Sequence, residues 1–197
     1  MPLLATPRTW VAGEMVPAST MNTEIRDQFQ ALRNATTASA TTTVANTTTE
    51  TVVGVYSIPA SQAAAGSIYR VAVLGNISFL ASAQLTWRVR LGGVSGSLLA
   101  TLGPTTASGT GQTNKEFFVR TAVVCITTGA SGTWFAEAHE IRNWTQTGSV
   151  GELQLGSSDG TVTRDTTAAN DLVITAQWAA ASASNTLTAR SLVERYT

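Results

Sequence analysis

Charge is what this chain of 197 residues has least of: Lys, Arg, Asp and Glu make up 12% of it, about half the usual quarter. Twelve basic side chains cancel twelve acidic ones, and Lys115 is the only lysine. Such a chain has no electrostatic grip on a phosphate backbone, which excludes nucleic acid as an expected partner. One cysteine, Cys125, excludes a disulfide framework and a cysteine-built metal site. One histidine, His139, is too little for a zinc centre built on histidines. No apolar run approaches the roughly 20 residues that cross a bilayer, so membrane insertion is not expected. The opening residues Met1 to Arg8 lack a charged stretch followed by an apolar one, so no secretory signal is expected either.

What the chain does have is apolar residues at 43%, enough for a core, together with 33 threonines and 29 alanines. Threonine is β-branched and favours strands. Three zones follow along the sequence. Residues 1–34 open with an extended segment and then predict one short amphipathic helix. Ser19 or Thr20 can cap it, Glu24 sits in its first turn, and Met21, Ile25, Phe29 and Leu32 form one apolar stripe. A helix of about 15 residues is marginal alone and needs a partner surface: it reads as an attachment or oligomerisation element, with a helix folded back on its own domain as the plain alternative. Residues 35–49 are small, polar and without periodicity, which reads as a linker or a loosely held extended arm.

Residues 50–197 read as eight or nine strands between turn signals. Leu85, Trp87, Val89 and Leu91 alternate with Arg88 and Arg90, which puts the first set inward and the arginines outward. Ser67 to Phe79 carries apolar residues on both parities, Tyr69, Val71 and Val73 on one and Ile68, Ala72 and Leu74 on the other, as in a strand buried on both faces. The expected fold is mainly β: an antiparallel β-sandwich, jelly-roll-like, behind an N-terminal extended segment and helix.

Chemistry is sparse. Gly156-Ser157-Ser158-Asp159-Gly160 matches the G-x-S-x-G pattern of a nucleophile elbow, but an elbow needs a strand-to-helix turn with its histidine after the serine. Here His139 comes before Ser158 and strands flank the motif, so a β-hairpin turn is expected. Glu137, His139 and Ile141 share one strand face and Glu140 lies on the other; a polar pair is expected rather than a metal or proton-transfer site. Cys125, inside Ala122 to Ile126, reads as core, as do Trp87 and Trp178. Trp144, beside Arg142 and Asn143, suits stacking on a sugar or anchoring an interface, with partial burial under a loop as the plain alternative. No catalytic residue, metal or cofactor is expected.

The run Pro7-Arg8-Thr9-Trp10-Val11-Ala12-Gly13-Glu14-Met15-Val16-Pro17-Ala18-Ser19-Thr20-Met21-Asn22-Thr23-Glu24-Ile25-Arg26-Asp27-Gln28-Phe29-Gln30-Ala31-Leu32 resembles the N-terminal module of small virion proteins of tailed bacteriophages. Their pattern is roughly TW-x-x-GE-x-V-T-A-x-x-(L/M)N-x-x-(I/V)RD-x-(L/F)-x-x-L, with Pro17 here in place of the usual threonine. The stretch Asp171 to Trp178, followed by Ala179 to Asn185 and Thr186-Leu187-Thr188, is similar to the closing hairpin of phage jelly-roll domains. The resemblance implies a non-enzymatic structural subunit located in the virion, made in the cytoplasm of a bacterial host and assembled as a homotrimer. Its N-terminal part would be tied to other virion proteins, through Trp10 and the Met21–Ile25–Phe29–Leu32 stripe, with the sandwich exposed. A minor tail, tail-tip or fibre subunit that touches the host surface is the leading expectation. A capsid decoration or head-fibre protein comes second, then a carbohydrate-binding module with Trp144 and the Gly103–Asn114 loop as its site; Trp144, Arg142 and Asn143 are the candidates for surface recognition, a host cell-surface glycan included. A sandwich-fold glycosidase comes last.

Overall fold

The computed structural model describes residues 37–38, 41–106, 110–142, 153–157 and 160–196. The expected N-terminal helix, with Trp10, Met21, Ile25, Phe29 and Leu32, lies outside them, as do Asn143 and Trp144. The chain divides into two compact units, Met1–Thr37 and Ala38–Thr197, and the fold below is that of the second.

Twelve strands occur among the described residues: β1 (Thr37–Ala38), β2 (Thr42–Ala45), β3 (Thr51–Ile58), β4 (Ile68–Phe79), β5 (Gln84–Leu91), β6 (Ser97–Thr106), β7 (Gln112–Thr127), β8 (Thr133–Arg142), β9 (Leu153–Ser157), β10 (Val162–Thr163), β11 (Asn170–Trp178) and β12 (Thr186–Tyr196). Sheet A has the long strands β12-β4-β7-β8 in that order, with β2 also on β12 and β9 and β10 on β8; sheet B runs β3-β11-β5-β6. Pairing shows how the chain wraps. β2 pairs β12, β3 pairs β11, β4 pairs β7 and β5 pairs β6, all antiparallel. These are the nested rungs of one long hairpin whose tip is the β5–β6 turn, rolled so that successive rungs fall in alternate sheets. That is the jelly-roll arrangement, with β8 to β10 added beyond β7. At the tip Gly92 and Gly93 take φ of 97° and 82°, a left-handed backbone that side chains disfavour.

The alternation fills the space between the sheets. Leu85, Trp87, Val89 and Leu91 are all buried, as the pattern predicts. They meet Tyr69, Val71 and Val73 from β4 and Trp134, Ala136 and Ala138 from β8 in one core. Three indoles, Trp87, Trp134 and Trp178, are fully buried, and Trp87 stacks obliquely on Phe117 with ring centroids 5.1 Å apart. Cys125 is buried, and burial pushes its thiol pKa up.

Of the two readings open for the Thr-rich tract, linker or arm, part of it is an arm: β2 pairs Thr42 to Ala45 with Ala189 to Thr186, and Val44 is buried opposite Leu187. Two features differ from the sequence reading. First, β11 and β12 do not form a closing hairpin, because β11 lies in sheet B and β12 in sheet A; residues 179–185 carry the chain across the edge. Second, β4 is not buried on both faces. Tyr69, Val71 and Val73 point into the core, whereas Leu74, on the other parity, is 38% exposed.

Candidate functional site

Both sheets carry charged and exposed apolar side chains on their outer faces, arranged differently. On sheet B, Arg88 and Arg90 face outward as their alternation predicts, and Glu50 gathers them. Its carboxylate accepts from Arg90 Nε at 2.7 Å, Arg88 Nη1 at 3.2 Å and Thr175 Oγ1 at 2.6 Å. Arg88 also donates to Gln177 Oε1, and Gln177 donates to the carbonyl of Thr48. Burial pulls the Glu50 pKa upward, but the bonds from Arg90 and Thr175 and the charges of Arg90 and Arg88 outweigh it and hold the group below its ordinary value. The charges of this face are internally paired, while Val55 and Leu98, in the same row as Arg90, are each 45% exposed. The sequence signal for it was the Arg88/Arg90 alternation, which puts two like charges on one face and calls for an anion.

The outer face of sheet A is mainly apolar. Its residues fall in rows across β4, β7 and β8, fixed by the strand registers. Ile68, Val124 and Phe135 form one row; Arg70, Ala122 and Glu137 the next; then Ala72, Arg120 and His139; then Leu74, Phe118 and Ile141. Of the large apolar side chains on this face, Leu74, Ile126, Phe135 and Ile141 are between 36% and 45% exposed. A pocket of about 420 Å³ opens in the middle, where the small Ala72 and Ala122 lie between Arg70, Arg120, Glu137 and His139. Glu137 Oε1 lies 3.2 Å from His139 Nε2, while Nδ1 of the same ring is buried without a hydrogen-bond partner. The pair is placed as its i, i+2 spacing predicts. Among the described residues no three His, Cys, Asp or Glu side chains come together to hold a metal. Two ligands are fewer than the three a zinc site takes from the protein.

The other sequence-predicted residues are placed differently. Arg142 is not a surface recognition residue. It ends β8 on the inward parity, 2% exposed, with Nε 3.1 Å from Glu140 Oε2. Glu140 is fully buried beside it and accepts from Trp87 Nε1 at 2.9 Å. The alternation that put Glu137, His139 and Ile141 on one face necessarily put Glu140 and Arg142 on the other, and a buried charge stays charged only when paired. The sequence signal was therefore present: two opposite charges at i, i+2 on an otherwise apolar parity. Nor does Gly156–Gly160 turn a hairpin. β9 and β10 both run antiparallel to β8, with Glu137 opposite Ser157 and then Trp134 opposite Val162, so they are two pieces of one edge strand separated by a two-residue slip. The motif has strands on both sides and no helix among the described residues, which is not the context of a nucleophile elbow.

No protein-family model, curated protein or solved structure matches the chain.

Proposed function

We propose that this chain is a non-enzymatic structural protein of a tailed bacteriophage virion, a minor tail, tail-tip or fibre subunit. Residues 7–32 tie it to other virion proteins, and the jelly-roll sandwich is presented outward. The observation that carries the reading is the run from Pro7 to Leu32, which resembles a phage attachment module and precedes the sandwich unit that begins at Ala38. The charge-poor composition supports the same reading, because subunits that bury surface against neighbours avoid the desolvation of charge. Burial of Arg142 takes it out of the residues offered for surface recognition.

Deletion of residues 7–32 tests the proposal. The truncated chain is expected to remain soluble and folded by circular dichroism while failing to enter particles. Trp10→Ala is expected to weaken attachment by about 2 kcal/mol or more, as loss of an interface indole does. Normal incorporation of the truncated chain would refute the attachment role.

A further inference from the structure

Arginines crowded on one sheet face call for an anion, and the two sheets meet that need differently. On sheet B, Arg88 and Arg90 share the carboxylate of Glu50. On the outer face of sheet A, the register sets Arg70 across from Ala122 and Arg120 across from Ala72. The arginines occupy one diagonal of a checkerboard and the alanines the other, and diagonal neighbours on a sheet stand about 7–8 Å apart. Arg70 lies opposite Glu194 of β12 and is already engaged. Arg120 is different. It is exposed, its row neighbours are Ala72 and His139, and among the described residues it makes no hydrogen bond or ion pair. Glu137, one row away, is taken up with His139 at 3.2 Å.

Beside Arg120 lies the pocket of about 420 Å³, with Ala72 and Ala122 as its small residues, Phe118 and Leu192 as apolar sides, and Glu137 and His139 on the β8 side. That volume falls within the roughly 300–1,000 Å³ of small-molecule sites, where an apolar lining carries a few placed polar groups. The lining selects among anions. A guanidinium fork holds a planar carboxylate through two parallel hydrogen bonds. Glu137 bonds His139 through Oε1, which leaves Oε2 on a half-exposed side chain to accept from a hydroxyl. The same carboxylate repels a second negative charge, which disfavours phosphate and acidic peptides. One carboxylate flanked by neutral hydroxyls on a ring suits both ends, and Phe118 and Leu192 receive the C–H face of the ring.

We propose that this pocket binds a carboxylate flanked by hydroxyl groups, the chemistry of a uronic acid residue, with Arg120 on the carboxylate and Glu137 accepting from a hydroxyl. The site stands independently of the virion reading. Isothermal titration calorimetry of the full-length chain tests it, with glucuronate, a galacturonate trisaccharide, glucose, inorganic phosphate and a short polyaspartate as probes. Glucuronate is expected to bind with a dissociation constant on the order of 1 mM, ordinary for so small a ligand. Glucose and phosphate are expected to give no saturable heat. Arg120→Met is expected to weaken glucuronate binding about tenfold or more, the weight of a hydrogen bond to a charged group. Ala122→Leu fills the pocket, keeps every charge and is expected to weaken binding comparably. Arg190→Met, which removes a positive charge from β12 outside the pocket, is expected to leave it unchanged. The trisaccharide distinguishes the source: binding tighter than glucuronate assigns a residue within a glycan, and equal binding a free hydroxy acid. No saturable binding of either acid would overturn the proposal. So would glucose or phosphate matching glucuronate, polyaspartate binding more tightly than both acids, or Arg120→Met binding as the wild type does.

Discussion

Arg142→Met separates the buried reading of Arg142 from the surface reading most sharply. The substitution keeps the length of the side chain and removes its charge, leaving Glu140 fully buried beside it with the Trp87 indole N–H still in place. Breaking one half of a buried pair costs about 3–5 kcal/mol, because the remaining charge stays desolvated without its counter-ion. At about 2–4 °C per kcal/mol for a domain of this size, the melting temperature is expected to fall by about 6–20 °C. Urea unfolding followed by tryptophan fluorescence reports the loss directly, since Trp87 is itself part of the cluster. The double variant Glu140→Leu with Arg142→Met removes both charges and is expected to recover most of the loss, as apolar replacement of buried ion pairs generally does. A loss within about 0.5 kcal/mol for Arg142→Met, the size of an ordinary surface substitution, would refute the buried pair.

Two further perturbations probe other parts of the structure. Glu50→Gln is expected to cost about 1.5–3 kcal/mol near pH 7, the worth of hydrogen bonds to a charged group. Because the folded pKa of Glu50 lies below its ordinary 4.5, this stabilisation is fully present above pH 4.5 and is lost as the pH falls through the lowered folded value. Urea midpoints of wild type and variant should therefore converge in acid, and a gap independent of pH would contradict the assignment. Gly75→Ala would drive a Cβ into the carbonyl oxygen of Thr188 on the neighbouring β12. Overpacking of about 1–3 kcal/mol is expected, read as a lower urea midpoint, and an unchanged midpoint would mean that β4 and β12 are less closely apposed.

Most of the sandwich was legible because alternation is a local property. β3 and β5 have the bounds that the pattern gives, Thr51 to Ile58 and Gln84 to Leu91, and the inward set of β5 forms core. What the pattern could not show was which strands share a sheet. β11 and β12 are consecutive and joined by a short turn-like segment, and nothing local distinguishes a hairpin from a crossing between layers. β9 and β10 likewise look like hairpin arms around Gly156–Gly160, whereas one long partner, β8, holds both on the same edge. The candidate site was legible by halves. The placement of Glu137 and His139 follows from their spacing, but Arg142 was read with its sequence neighbours Asn143 and Trp144 instead of with its strand parity. The contributions of Arg70 and Arg120 depend on the β4–β7–β8 register, a long-range property that no window of the sequence contains.

Probing purified phage particles with an antibody against the sandwich, imaged by electron microscopy, tests most directly the proposal that this chain is a structural part of a virion held by its N-terminal module. Label is expected on the particles, at the tail, carried by full-length chain and lost when residues 7–32 are deleted. Particles free of label, with the chain left in the soluble fraction of the lysate, would contradict it.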